Sequence, residues 1–252
     1  MEKIRKPFQG VLNIVRFNWH FYVIVIMICL GLFSLKNIFP LHLHYLFTLA
    51  IIFAFTITSI TLIVSCYVYD LSGLYKLNWL ASSKEKIEIV NINAGFDETT
   101  ELLKIKFAES KLTVLDFYDP LKHTEISIKR ARKAYPAFPN TITTTTFNLP
   151  LQTNSADKIF VIFAAHEIRE VNERIDFFKE LNRIIKTNGE IYVTEHLRDL
   201  PNFLAYNIGF IHFHSKKTWY NSFANSGLVI KCEQNLNPFI TNFTLTKNGI
   251  TS

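Results

Sequence analysis

Residues 87–103 read IEIVNINAGFDETTELL. An apolar, β-branched run stops, turns through small and polar residues, and resumes with the spacing of a helix. That is the layout of a strand, a cofactor loop and a helix. A loop of the G-x-G-x-G type would be crowded with glycine. Here only Gly95 is present, with Asn93 and Asp97 where flanking glycines would stand.

The helix start decides which ligands this loop tolerates. A pyrophosphate needs bare backbone N–H groups at a helix N-terminus. This helix opens with Asp97, Glu98 and Glu101, which favour that end of a helix and repel an anion. No GK[ST] follows, so a P-loop is excluded, and NAD or FAD fails on the same charge argument. Tyr118 and Lys122 make a Tyr-x-x-x-Lys pair, but Pro120 lies between them, so they are not the mid-helix pair of a short-chain dehydrogenase. S-adenosylmethionine has no phosphate and carries a sulfonium and an ammonium, so an acidic loop suits it. Its ribose wants a carboxylate at the end of the second strand. Asp116, in LTVLDFYD, comes about 20 residues after the loop, where that acid is expected.

Downstream, strands and helices alternate. KIEIVNI, KLTVLDF, NTITTTTFNLP, ADKIFVIFAA and EIYVTEH read as strands. ETTELLKIKFAES, SIKRARKAY and VNERIDFFKELNRII read as helices, the last stopped by KTNGE, and GLVIKCEQ with FITNFTLTKNG forms a closing pair. The expected fold is α/β: a Rossmann-like, mainly parallel seven-stranded sheet with helices on both faces. Ligands in such sheets bind beyond the carboxyl ends of the strands.

Upstream, the chain changes character. The sequence has 252 residues, 49% hydrophobic, with mean hydropathy +0.16, and the apolar excess is concentrated near the N-terminus. No charged residue lies in Phe17–Leu35 or Asn37–Tyr69. About 19 helical residues span roughly 28 Å, the thickness of a bilayer core. Two transmembrane helices are expected, at about 17–36 and 44–69, with Trp19, Tyr22, Tyr45, Tyr67 and Tyr69 as interfacial anchors. Residues 1–80 are thus expected to form a membrane hairpin with its juxtamembrane segment, and 81–252 the α/β domain. Within the juxtamembrane segment, YKLNWLASSKEK reads as a linker or a surface-lying amphipathic stretch. Lys3, Arg5, Lys6 and Arg16 precede the first span and Lys76, Lys84 and Lys86 follow the second, which places both ends in the cytoplasm.

The net charge is +6. Residues 1–80 hold six basic and two acidic residues, so most of the excess is juxtamembrane and suits anionic headgroups. No basic stripe interleaved with aromatics supports nucleic-acid binding. Cys29, Cys66 and Cys232 form no CxxC pair, so neither a disulfide framework nor a zinc site is indicated. His212 and His214, in FIHFHSKKTW, hint at a metal, but no carboxylate is spaced for it in the sequence. No metal is expected, and these histidines read as helix or loop residues near the bilayer. Oligomeric state is not legible.

Residues 87 to about 196 resemble a class I S-adenosylmethionine-dependent methyltransferase of the "type 11" group, which includes quinone C-methyltransferases. Four segments carry the resemblance: IVNINAGFD at the glycine loop, VLDFYDP at the ribose-binding strand end, NLPLQTNSADKIFVIFAAHEI at the family's LPF…FD…ALHH region, and FFKELNRIIKTNGEIYVTEH at its E-x-x-R-V-L-K-P-G-G helix, turn and strand. The departures are Asn91 for the acid ending the first strand, Asn93 and Asp97 for two glycines, and Thr145 for the usual adenine-contacting aspartate. Asn93 can adopt positive φ nearly as glycine does, so the loop reads as a variant cofactor loop. The resemblance implies S-adenosyl-L-methionine held by Asn91, Asn93, Ala94, Gly95, Asp97, Asp116, Phe117, Thr146, Phe147, Ala164 and Ala165.

Methyl transfer needs alignment first and, for a phenol or carbon acid, a base. The catalytic candidates at the strand ends are His166, Glu195 and His196, with Glu195 and His196 expected to face one mouth. Phe203, Leu204, Tyr206, Ile208, Phe210, Ile211 and Phe213 would form an apolar lid. With the bilayer as partner, the expected acceptor is a hydrophobic membrane-resident small molecule: a quinone, polyene-phenol or lipid-like compound. The alternative is an inactive methyltransferase fold serving as a membrane scaffold, which the retained Gly95, Asp116 and His166 disfavour.

Overall fold

The computed structural model describes residues 5–81 and 85–249. Three helices come first: α1 (Gln9–Phe17), α2 (Trp19–Lys36) and α3 (His44–Cys66), the last continuing into a π-helical turn, Tyr67–Leu71. Then follow β1 (Glu88–Asn93), α4 (Thr100–Lys106), β2 (Lys111–Asp116), α5 (Ile126–Ala134), β3 (Ile142–Thr143), β4 (Ala156–Ile162), α6 (Val171–Ile184), β5 (Ile185–His196), α7 (Leu200–Tyr206), α8 (Lys216–Asn225), β6 (Leu228–Asn237) and β7 (Ile240–Lys247).

The seven strands form one sheet in the order β3-β2-β1-β4-β5-β7-β6. β1, β2, β3, β4 and β5 run parallel, and β7 pairs antiparallel with both β5 and β6. The strand order reverses between β1 and β4, which makes their carboxyl ends the switch point where such folds bind ligands. Central strands are covered on both faces and are therefore nearly continuous apolar runs. Ile89 and Phe160 face one layer, with Leu103 and Phe107; Val90, Ile92, Ile159 and Val161 face the other, where α6 inserts Phe177, Phe178 and Leu181 and α8 adds Trp219 and Phe223.

Several local expectations change. The threonine-rich third strand shrinks to Ile142–Thr143, because the chain then turns into a bridge between Thr145 and Asn148. The KTNGE segment opens β5 directly after α6 rather than forming a loop. Residues 75–81 are not a free surface stretch: Leu77 and Leu80 are buried in the layer with Leu103 and Phe107, while Ser82, Ser83 and Lys84 lie outside the described residues. The α2–α3 hairpin is thereby packed against the domain.

α2 and α3 are long and apolar enough to cross a membrane. No residue of α2 is buried, and of α3 only Ser65. A core hairpin of a globular protein would hide such faces. α1 was not legible in the sequence. Its first free N–H groups, on Gly10 and Val11, donate to the Asp70 carboxylate at 2.7 and 2.9 Å. A cap supplied from the π-helical turn that continues α3 thus holds α1 in place. A Cβ on Gly10 would lie 2.4 Å from Cβ of Tyr69. Gly10→Val is expected to cost about 1–3 kcal/mol through overpacking. A thermal midpoint in detergent equal to wild type would show that α1 is not docked there.

Candidate active site

The loop after β1 is built by hydrogen bonds rather than by glycines. Asn93 stays extended at the end of β1, and its side-chain oxygen accepts from the Gly95 N–H at 3.0 Å. It does not adopt the positive φ expected of it; only Gly95 does, at φ 96°. A Cβ on Gly95 would meet the Arg132 guanidinium and the Tyr118 ring at 2.8 Å. The close approach that a second glycine normally allows is therefore concentrated at this one residue. Asn91 is buried and donates to Thr100 Oγ1 at 2.7 Å and Thr99 Oγ1 at 3.1 Å, so it braces the loop from below. Asp97 Oδ1 accepts from the N–H groups of Thr99 and Thr100 at 3.0 and 2.9 Å and caps α4. Its other oxygen, Oδ2, is buried with no partner among the described residues.

Asp116 ends β2 and is buried beside this loop. It accepts from the Tyr118 N–H at 2.9 Å and from Arg132 Nη1 at 2.6 Å. Asn93, Gly95, Asp97, Asp116 and Arg132 line a small cavity of about 50 Å³. Two larger cavities meet over the switch point. One, of about 170 Å³, is lined by Asn93, Ala94, Thr99 and His166. The other, of about 210 Å³, lies under Gly10, Asn13 and Phe17 of α1. They share Tyr75, Phe96, Glu98, Ile128, Phe163 and Glu167, forming one cleft. Glu98 ties its wall together by accepting from Arg5 at 2.8 Å, Tyr75 at 2.9 Å and Asn13 at 3.3 Å. Phe163, at the end of β4, holds φ 52°, a conformation costly for a bulky residue and typical of functional turns.

The turn after β4, Ala165–Glu167, presents His166 and Glu167 to this cleft. The buried Glu195 carboxylate accepts from His166 Nδ1 at 2.7 Å and from its backbone N–H at 3.2 Å. Glu167 Oε1 lies 3.3 Å from His166 Nε2. Burial opposes charge on His166, but Glu195 and Glu167 outweigh it and lift its pKa to about 10. At neutral pH it is an imidazolium, a donor rather than a free base. Burial likewise opposes charge on Glu167, yet His166 and His212 hold its carboxyl well below the ordinary range.

His196 does not share that mouth. Consecutive strand residues point to opposite sides, so Glu195 reaches His166 while His196 turns away. His196 Nδ1 pairs with Asn202 Oδ1 at 3.0 Å and Nε2 with the Tyr69 hydroxyl at 2.7 Å, and the ring stacks on Phe213. Burial pushes its pKa down to about 3. It is a neutral joint between the hairpin and the domain, with no nitrogen free for proton transfer.

The remaining candidates scatter. Ala94 lines the cleft, whereas Phe117, Ala164 and Ala165 are packed in the core. Thr146 is buried and donates to Glu173 at 2.7 Å. Phe147 is exposed, with the Lys122 ammonium over its ring. Neither lines the cavities around the loop. His212 ends the 3₁₀ turn Asn207–His212, and His214 forms an isolated bridge with Leu197. His214 is buried against the Arg174 guanidinium at 3.1 Å. His212 does have carboxylate partners, Glu125 at 3.1 Å and Glu167 at 3.4 Å, both distant in sequence. The sequence carries no sign of α1 or of a role for Tyr75, Phe96 and Glu167, and it shows Glu98 only as a carboxylate at a helix start.

Sheet order, switch-point cleft and an acid ending β2 define a class I methyltransferase fold. Residues 90–193 match the family of methyltransferase domains. Among solved structures, a chain of the complex between the Haloferax volcanii Trm112 methyltransferase activator and a putative methyltransferase aligns at 14% identity and TM-score 0.52, over 70% of this chain and 88% of that one. An S-adenosylmethionine-dependent methyltransferase from Aquifex aeolicus aligns at 16% identity and TM-score 0.51, over 75% and 97%. Geranyl diphosphate C-methyltransferase from Streptomyces coelicolor A3(2) aligns at 11% and 0.50, over 70% and 79%. No curated protein matches. Residues 90–193 thus match a methyltransferase domain, and the fold around them is that of S-adenosylmethionine-dependent methyltransferases.

Proposed function

We propose that the chain is a membrane-anchored methyltransferase that uses S-adenosylmethionine to methylate a hydrophobic small molecule resident in the bilayer. One observation carries this reading: the membrane hairpin ends at the cleft. Tyr69, in the turn that continues α3, and Tyr75, just beyond it, line the cavity at the carboxyl ends of β1 and β4, and α1 roofs it. The residues present fit the cofactor. Gly95 lines the small cavity beside Asp116 with bare backbone, and Asp97 Oδ2 is a buried acceptor without a partner among the described residues. Asp116 would accept from the ribose hydroxyls, and Asp97 from the ammonium. The cofactor supplies an electrophilic methyl on its sulfonium.

The chain's own part is alignment, exclusion of water and charge. Glu195 holds His166 in place at the wall of the cleft. Phe96 and Phe163 keep the cleft apolar. The expected apolar lid takes another form. α7 and the turn after it pack beside α3, with Thr61 Oγ1 donating to the Ala205 carbonyl at 2.8 Å. Leu200, Phe203, Leu204, Ile208 and Ile211 are left exposed. Such a surface suits the lipid interface better than a solvated one. Basic residues flanking the spans support a cytoplasmic catalytic domain.

The test is to reconstitute the full chain in nanodiscs of native lipid extract with methyl-labelled S-adenosylmethionine. Label is expected in the organic phase. Label confined to water-soluble products would overturn the membrane acceptor while leaving the methyltransferase intact.

A further inference from the structure

We infer that His166, Glu167 and His212 form a binding site for a divalent transition-metal ion at the wall of the cleft. These three side chains come from two separate segments, the turn after β4 and the 3₁₀ turn Asn207–His212. Their donor atoms all lie within 4.8 Å of one another. Glu167 Oε1 stands 3.3 Å from His166 Nε2 and 3.4 Å from His212 Nε2. Ligands about 2.0–2.1 Å from a tetrahedral metal stand roughly 3.3 Å apart, so both separations are those of a ligand set.

The surrounding shell makes the same point. A metal-binding histidine commonly donates its other ring N–H to a carboxylate, which fixes its tautomer and orientation. Both histidines have such a partner. His166 Nδ1 lies 2.7 Å from Glu195, and His212 Nδ1 lies 3.1 Å from Glu125. Both Nε2 atoms approach the one Glu167 carboxylate, and Arg169 Nη2 also stands 2.6 Å from His212 Nε2, in the place an ion would take. Three carboxylates face two imidazoles and one cation, Arg169, whose guanidinium lies on the His212 ring and its carbonyl. Two imidazoles and one carboxylate favour zinc, cobalt, iron or manganese over magnesium or calcium. Three protein ligands leave positions open, as in catalytic rather than structural sites. Glu167 lines both cavities of the cleft, so an ion there would stand at the cleft wall and act as a Lewis acid on an oxygen ligand held in it. This inference rests on the side chains alone and is independent of the methyl-transfer reading.

The test uses untagged full-length chain in detergent, stripped with a chelator, dialysed and titrated with Co²⁺, reading the visible d–d bands and metal per chain. One equivalent of Co²⁺, displaced by Zn²⁺, is expected. His212→Ala and Glu167→Gln should abolish the bands. Glu125→Gln should weaken binding roughly tenfold or more, as loss of an outer partner does. Arg169→Gln, which removes the competing cation, should tighten it. Circular dichroism of each variant separates loss of the site from loss of the fold. Absence of bands in folded wild type, or bands unchanged in folded Glu167→Gln and His212→Ala, would overturn the inference. Neither readout involves S-adenosylmethionine.

Discussion

Asp116→Ala raises the dissociation constant for S-adenosylhomocysteine roughly 100-fold, a loss of about 3 kcal/mol from two hydrogen bonds to a charged acceptor. Asp116 is buried, ends β2 and faces the Gly95 loop across a small cavity, so no water-exposed group can replace it. Arg132 pairs with Asp116, with its guanidinium over the Tyr118 ring. Ribose binding must therefore compete with that ion pair, and Arg132→Gln is expected to tighten S-adenosylhomocysteine binding several-fold. Calorimetry on the two variants separates the roles. Weaker binding in Arg132→Gln would make Arg132 a ligand contact instead of a competitor.

His196→Ala lowers stability by about 3 kcal/mol, from the cavity it leaves and the unpaired Tyr69 hydroxyl and Asn202 amide. For a chain of this size that is roughly 6–12 °C in thermal midpoint. The site joins three parts: the turn continuing α3 through Tyr69, β5 through His196 itself and α7 through Asn202. The same residue sets a pH dependence. Its folded pKa, about 3, lies below the unfolded value of 6.5. The unfolded chain therefore binds the extra proton between those values. Its contribution is complete above pH 6.5 and is lost as pH falls toward 3. About 1 kcal/mol disappears between pH 6.5 and 5.5. Urea titrations at those two pH values should show this slope in wild type and its absence in His196→Phe. A slope equal in both would assign the acid sensitivity elsewhere.

The sheet was legible because its interior strands are short apolar runs separated by amphipathic helices, and that pattern is local. The positions of Gly95 and Asp116 were legible for the same reason: both follow directly from strand ends. What escaped depends on contacts between distant segments. α1 carries no cap of its own and is capped by Asp70. Arg132 reaches Asp116 only once α5 packs beside β2. His212 appeared to lack a carboxylate because Glu125 and Glu167 are distant along the chain and adjacent in space. The divergence of Glu195 and His196 follows from strand periodicity and was available from sequence, had it been applied to the final two residues of β5.

The central claim is that NINAGFD, residues 91–97, is a working cofactor loop despite its single glycine. Calorimetric titration of the purified full chain in detergent with S-adenosylmethionine and S-adenosylhomocysteine, with NADH as control, tests it directly. Micromolar binding of both sulfur compounds and none of NADH is the predicted result. A folded sample that binds neither would contradict the account: Arg132 would then be a permanent plug, and the domain a scaffold that has lost its cofactor.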